Sequence, residues 1–235
     1  MVNRLCSSIG RLNTAMPDSL PNLNGNILAA LDLETTGRLA GYHEIVQIAI
    51  VPLGLDLLPI EGIIPFYHTV KPEYIERAEK EAMHVSGLSL DDLEASAPES
   101  WQVQDWLDEW FRDLRLPIQR SLVPLAHNWS HEKGFLTDWL GLEGIGKYFF
   151  SHPRDTMVTA LFLNDYCAMN GERVPFTHVN LPYLCKVLGV EHENAHDALA
   201  DSYACAEVYR RLLYAFGTRG LSIPAGRGTP DTDSA

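Results

Sequence analysis

An α/β fold built on a mixed sheet is what this sequence predicts, and three observations predict it. Three short apolar, β-branched runs follow one another near the start, a fourth appears later, and helical periodicity fills the rest of the chain. Strands in direct succession suggest a meander, so the sheet is expected to be mixed rather than wholly parallel. Residues 27–33 (ILAALDL) form the first run, a buried strand that ends in a carboxylate and then Thr-Thr-Gly. Residues 44–51 (EIVQIAIV) form the second and stop at Pro52; residues 64–70 form the third, before Lys71-Pro72. Helices are expected over 73–83 and 100–114, the latter with Trp101, Trp106, Trp110 and Leu114 near i, i+4 spacing and so facing the core. The fourth strand is 121–126 (SLVPLA), ending in His127-Asn128. Helices over 132–140, 154–164, 181–188 and 198–213 complete the core, the last two separated by a polar loop that holds His192, His196 and Asp197.

With 235 residues and 46% hydrophobic content, the chain can build one well-cored domain. Residues 1–26 are rich in Asn, Ser and Pro, and residues 217–235 in Gly, Pro, Thr and Asp, so both read as flexible arms around a core of 27–216. The 18 basic residues against 31 acidic ones leave a net charge of −13, which excludes a protein that holds nucleic acid mainly by a basic field. It does not exclude an enzyme whose positive charge arrives as Mg²⁺ or Mn²⁺, for which clustered carboxylates are suitable ligands. The most apolar stretch, 45–60, contains Gln47, Asp56 and two prolines, so no membrane span and no membrane partner is expected. Cys6, Cys167, Cys185 and Cys205 form neither a zinc pattern nor a disulfide framework; a reducing, cytoplasmic location fits them.

Two constellations can carry chemistry. In Asp32-Leu33-Glu34-Thr35-Thr36-Gly37 the two acids share one face of a strand, because side chains alternate with period two. Paired carboxylates at a strand end can bridge two divalent cations about 4 Å apart, the arrangement used for in-line phosphoryl displacement. Thr35, Thr36 and Gly37 would turn the backbone so that a substrate hydroxyl or phosphate approaches closely. The plainer alternative, a strand-end turn with solvated acids, conflicts with the buried apolar run beside them.

The second constellation is His196-Asp197-Ala198-Leu199-Ala200-Asp201. His-x4-Asp is weak by itself, and His192 to Asp197 repeats the spacing; a surface or capping role for His196 is the simple reading. Context favours more. Asp201 sits among apolar residues at the start of a helix, where a lone carboxylate is costly, and His196 lies in the loop before it. A helix-borne ligand and a loop-borne imidazole make a metal-and-base pair at neutral pH.

Taken together, Asp-x-Glu-Thr-Thr-Gly and Ala-His-Asp-Ala-Leu-Ala-Asp resemble the first and third motifs of the DEDDh family of 3′→5′ exonucleases. That family includes proofreading subunits, the RNase T type and oligoribonucleases. Further likeness lies in Glu44-Ile45-Val46-Gln47-Ile48-Ala49 and in the stretch 86–93. The resemblance implies a ribonuclease-H-like fold with a five-stranded mixed sheet, and His196 as the imidazole. It implies two divalent metals, Mg²⁺ or Mn²⁺, and a single-stranded DNA or RNA 3′ end as partner. A polymerase or homodimer partner is compatible with it. Leu39, after Gly37, matches an apolar position that wedges the terminal base.

The middle motif departs from the family. A strand ends in His127-Asn128, with Asn128 at the substrate, but the acid four residues later is Glu132 rather than aspartate, and His131 stands where phenylalanine is usual. Glutamate keeps the charge and adds a methylene, which matters in a two-metal site. Three readings stay open: Glu132 is the fourth carboxylate with a shifted second metal; activity is lowered or favours Mn²⁺; or the site is vestigial. Asp138 is the fallback ligand on another helical face. Asp155 is expected to cap a helix and support the site. His43 and His68 read as rim or strand histidines, Trp129 as core, and Lys133, Lys147 and Arg154 as a small basic strip. The resulting expectation is a metal-dependent exonuclease releasing 5′-mononucleotides, with Asp32, Glu34, Glu132 and Asp201 as ligands. The alternatives are a nucleic-acid-binding scaffold with an impaired site and an oligoribonuclease-like activity on short RNA.

Overall fold

The computed structural model describes residues 20–217. Five strands line up in the order β3-β2-β1-β4-β5: β1 Ile27–Thr35, β2 Ile45–Leu53, β3 Phe66–Thr69, β4 Leu122–Ala126 and β5 Arg154–Asp155. β1, β2 and β3 form the expected antiparallel meander, while β4 pairs parallel to β1 and β5 parallel to β4, so the sheet is mixed. Among the described residues seven α-helices flank it: α1 Lys80–Ser86, α2 Leu90–Ser96, α3 Ser100–Asp113, α4 Trp129–Tyr148, α5 Thr156–Met169, α6 Leu181–Leu188 and α7 Ala198–Gly217. This is the ribonuclease-H-like fold.

Period-two alternation along β1 decides which face does what. Ala29, Leu31 and Leu33 pack with Val103, Leu107, Phe135 and Leu136 from α3 and α4. Leu28 and Ala30 pack on the other side, with Leu163, Leu184, Ala204 and Val208 from α5, α6 and α7. Asp32 and Glu34 continue the line of Leu28 and Ala30, and therefore point toward α7. β2 is buried along its whole length, and its run is apolar apart from Gln47, as a strand covered on both faces requires.

Several elements differ from the sequence reading. The helix expected over 73–83 is a single 3₁₀ turn at Ile75–Arg77 followed by α1. The Glu44 carboxylate accepts the N–H groups of Glu73 and Tyr74 at 2.9 and 2.8 Å, and the Thr36 carbonyl accepts that of Glu79, so tertiary bonds take over local ones. In α3 the buried stripe is Val103 and Leu107; Trp101 and Trp106 are exposed, contrary to the core role their spacing suggested. Both stripes have helical spacing, and only the sheet chooses between them. Trp110 is half-buried and donates its indole N–H to the Ile64 carbonyl at 2.8 Å. α4 extends well beyond 132–140 and is broken at Gly141, whose φ of 73° is a left-handed conformation that glycine adopts cheaply. α2 had not been expected as a helix; Ser89 caps it by accepting from the Asp92 N–H.

Residues 20–26, assigned by composition to the N-terminal arm, include the buried Leu23 and Asn26. Residues 1–19 of that arm, and the tail beyond 217, lie outside the described residues. No helix among the described residues is long and apolar enough to cross a membrane.

Candidate active site

The site gathers at the ends of β1 and β4 and the starts of α4 and α7. Asp32 and Glu34 sit opposite Ala49 and Gln47 of β2, and the register breaks just after Glu34. There the Thr36 hydroxyl accepts the Glu44 N–H at 2.9 Å and the Thr35 hydroxyl donates to the Gly37 carbonyl at 2.7 Å. A Cβ on Gly37 would fall 2.6 Å from the His43 ring, so this turn closes only with glycine there. His43 is not a rim residue: it is buried, and its Nδ1 accepts the Leu39 N–H at 2.9 Å. That bond pins the turn and leaves the Leu39 side chain 62% exposed. His68 is a half-buried strand residue between Phe66 and Trp106.

Glu132 occupies the first turn of α4 and is 3% exposed. Its Oε2 has no hydrogen-bond partner among the described residues. The chain reaches this turn through Asn128, which is left-handed at φ 74°. Asn128 is half-buried and its Oδ1 accepts from the Ser130 hydroxyl. The Asp155 carboxylate accepts the Trp129 N–H at 2.8 Å and the Val158 N–H at 3.0 Å. Asp155 is thus the expected cap of α5 and also binds the head of α4. Trp129 packs against the core beside Phe149.

Asp201 is buried in the first turn of α7, its N–H donating to the Asp197 carbonyl. Its carboxylate accepts the His196 N–H, at 3.3 and 3.4 Å to the two oxygens. The Nε2 of His192 also contacts it, a partner that sequence reasoning had not assigned. The His-x4-Asp repeat at His192 was visible, but spacing pointed to Asp197 rather than Asp201. His196 itself is exposed, and its ring comes together with the Glu34 and Asp201 carboxylates, their donor atoms all within 4.8 Å of one another.

The electrostatics follow from crowding acids away from water. Burial pushes the Asp32 carboxyl well above the usual carboxylate range, and Glu132, Asp201 and Glu34 push it further. Burial, then Asp201 and Asp197, raises Glu34 to about 8. Burial, then Glu34, Asp155 and Asp201, raises Glu132. All four predicted carboxylates therefore belong to one interacting group. Asp138 does not join them; its carboxylate lies 3.9 Å from the point where a Gly41 Cβ would sit. A cluster of this charge, with a buried orphan oxygen, suits divalent cations bound through oxygen.

The basic strip is not supported: Lys147 is bound to Asp108, and Arg154 spends its guanidinium on the carbonyls of Pro21, His152 and Pro153. Lys133 is exposed on α4.

A mixed sheet of this order, with acids from β1, α4 and α7 at one end, defines a ribonuclease-H-like scaffold. Residues 29–139 match the RNase_T family, described as exonuclease. The match covers a little under half of the chain, and the fold is likewise similar to that of DEDDh exonucleases. A comparison with curated protein sequences finds no match. Among solved structures, the chain is similar to a 3′-exonuclease in a study of histone mRNA stem-loop recognition, with 18% identity and a TM-score of 0.61 over 86% of this chain and 67% of that one. It is similar to the nuclease domain of 3′hExo, a DEDDh member bound to rAMP, with 19% identity and a TM-score of 0.59 over 81% of this chain and 92% of that one. Exonuclease I from Methylocaldum szegediense gives 20% identity and a TM-score of 0.62 over 81% of this chain, which spans only 42% of that protein.

Proposed function

We propose that the protein is a metal-dependent 3′→5′ exonuclease that hydrolyses the terminal phosphodiester of single-stranded DNA or RNA and releases 5′-mononucleotides. The observation that carries this reading is the meeting of His196 with Glu34 and Asp201 beside the buried, unpartnered Oε2 of Glu132. Asp32, Glu34, Asp201 and Glu132 would hold two Mg²⁺ or Mn²⁺ ions. When bound, these would lower the pKa of the attacking water and offset charge on the phosphate and the departing 3′ oxygen. His196, which is exposed, would take the proton from the attacking water. The turn of Thr35, Thr36 and Gly37 would let the terminal nucleotide approach the backbone, with Asn128 as a further contact and the exposed Leu39 against its base. Two structural neighbours, a 3′-exonuclease that recognises the 3′ end of a histone mRNA stem-loop and a DEDDh nuclease domain bound to rAMP, support a 3′-terminal substrate.

The test is incubation with 5′-labelled single-stranded DNA and RNA in Mg²⁺, Mn²⁺ or chelator. Shortening from the 3′ end only with metal is expected. Binding without cleavage in every condition would instead support a scaffold with an impaired site.

A further inference from the structure

His196 adopts a backbone conformation, φ 70°, that a non-glycine residue holds only where its surroundings impose it. The residues that hold this segment come from β2, next to the site's own strand, and from the edge strand β3. Gln47 of β2 is buried, and its Oε1 accepts the N–H of Ala198 at 2.8 Å, two residues past His196. Its Nε2 donates to the Tyr67 hydroxyl oxygen at 3.0 Å. Tyr67 in turn donates its O–H to Oδ2 of Asp197, the residue after His196. The other oxygen of Asp197 accepts the Ala200 N–H at 3.0 Å, closing the first turn of α7. Ala49 pairs with Tyr67 and Gln47 with Thr69, so Gln47 and Tyr67 lie diagonally on one face of β2 and β3. Each donor and acceptor in this chain has a single assignment. The Gln47 carbonyl is committed to Ala198, so its amide must donate to Tyr67, and the Tyr67 proton is left for Asp197.

We infer that Gln47 and Tyr67 are positioning residues that latch the His196 segment to the sheet, so that the imidazole stays beside Glu34 and Asp201. The kinetic part rests on the exonuclease reading; the structural part does not. Tyr67→Phe removes one hydroxyl from a partly exposed edge-strand side chain and leaves every named ligand in place.

Two measurements test the latch. In amide hydrogen exchange, Tyr67→Phe is expected to accelerate exchange across residues 195–200 by about tenfold, with β1 and β2 unchanged. In the nuclease assay, kcat is expected to fall by about ten- to a hundredfold, as for other small misplacements of a reacting group, while KM holds within about twofold. In a His196→Ala background the same change should cost less than about twofold, because the group it positions is gone. Unchanged exchange overturns the latch outright. Equal rate losses in both backgrounds, or a rise in KM alone, overturn its action through His196. A wild-type protein without metal-dependent cleavage removes the exonuclease reading, and the exchange experiment still decides whether the latch exists.

Discussion

Replacing Glu34 by glutamine should stabilise the cation-free protein, and by an amount that depends on pH. Below about pH 4.5 the Glu34 carboxyl is protonated in folded and unfolded chains alike and makes no difference. Between pH 4.5 and about 8 the unfolded chain releases this proton while the folded chain retains it, so stability falls as pH rises. Lifting the carboxyl from 4.5 to about 8 sets a ceiling of about 5 kcal/mol on the loss. The neighbouring acids relieve part of it by taking up protons themselves, so a gain of about 2–5 kcal/mol is expected for Glu34→Gln at pH 8 in chelator, vanishing near pH 4.5. Saturating Mn²⁺ should reverse the order, because it binds only the native site and the variant has lost a ligand. Urea unfolding followed by circular dichroism at both pH values, with chelator and with Mn²⁺, measures all four cases. A variant less stable than wild type in chelator at pH 8, or a gap indifferent to pH, refutes the idea that uncompensated carboxylates strain this site.

His196→Ala should lower kcat by about 10²–10⁴ while leaving the Mn²⁺-induced rise in melting temperature largely intact, as expected for a base rather than a principal ligand. Glu132→Asp tests the longer acid: a rate at or below wild type supports the buried Glu132 as fitted to its place, and a gain above about tenfold shows the native site to be impaired. Asp155→Ala removes caps from two helices, and chemical denaturation should show a loss of about 1–3 kcal/mol. A smaller loss would show that the heads of α4 and α5 are held by packing alone.

Much of the fold was legible because its signals are local. The apolar run of β1, its closing Thr-Thr-Gly and the same-face placement of Asp32 and Glu34 all follow from alternation along one strand. The cap at Asp155 was legible for the same reason. The helix over 73–83 was misjudged because Glu44 and Thr36, both distant in sequence, take the N–H groups of Glu73, Tyr74 and Glu79. Trp101 and Trp106 were misjudged because two stripes of α3 have the spacing of a buried face, and the chain alone cannot say which one meets the sheet.

The sequence by itself determined the chemistry available: which acids and which imidazole lie at strand and helix ends, and a charge balance that calls for cations rather than a basic surface. Only the tertiary structure decided their association. It brought the buried Glu132 within electrostatic reach of Asp32, turned His192 toward Asp201, and tied the His196 segment to Gln47 and Tyr67 across 130 or more residues of chain. The physical reason is that carboxylate repulsion, orphaned oxygens and long-range hydrogen bonds depend on distance in space, and motif spacing along the chain carries no record of that distance.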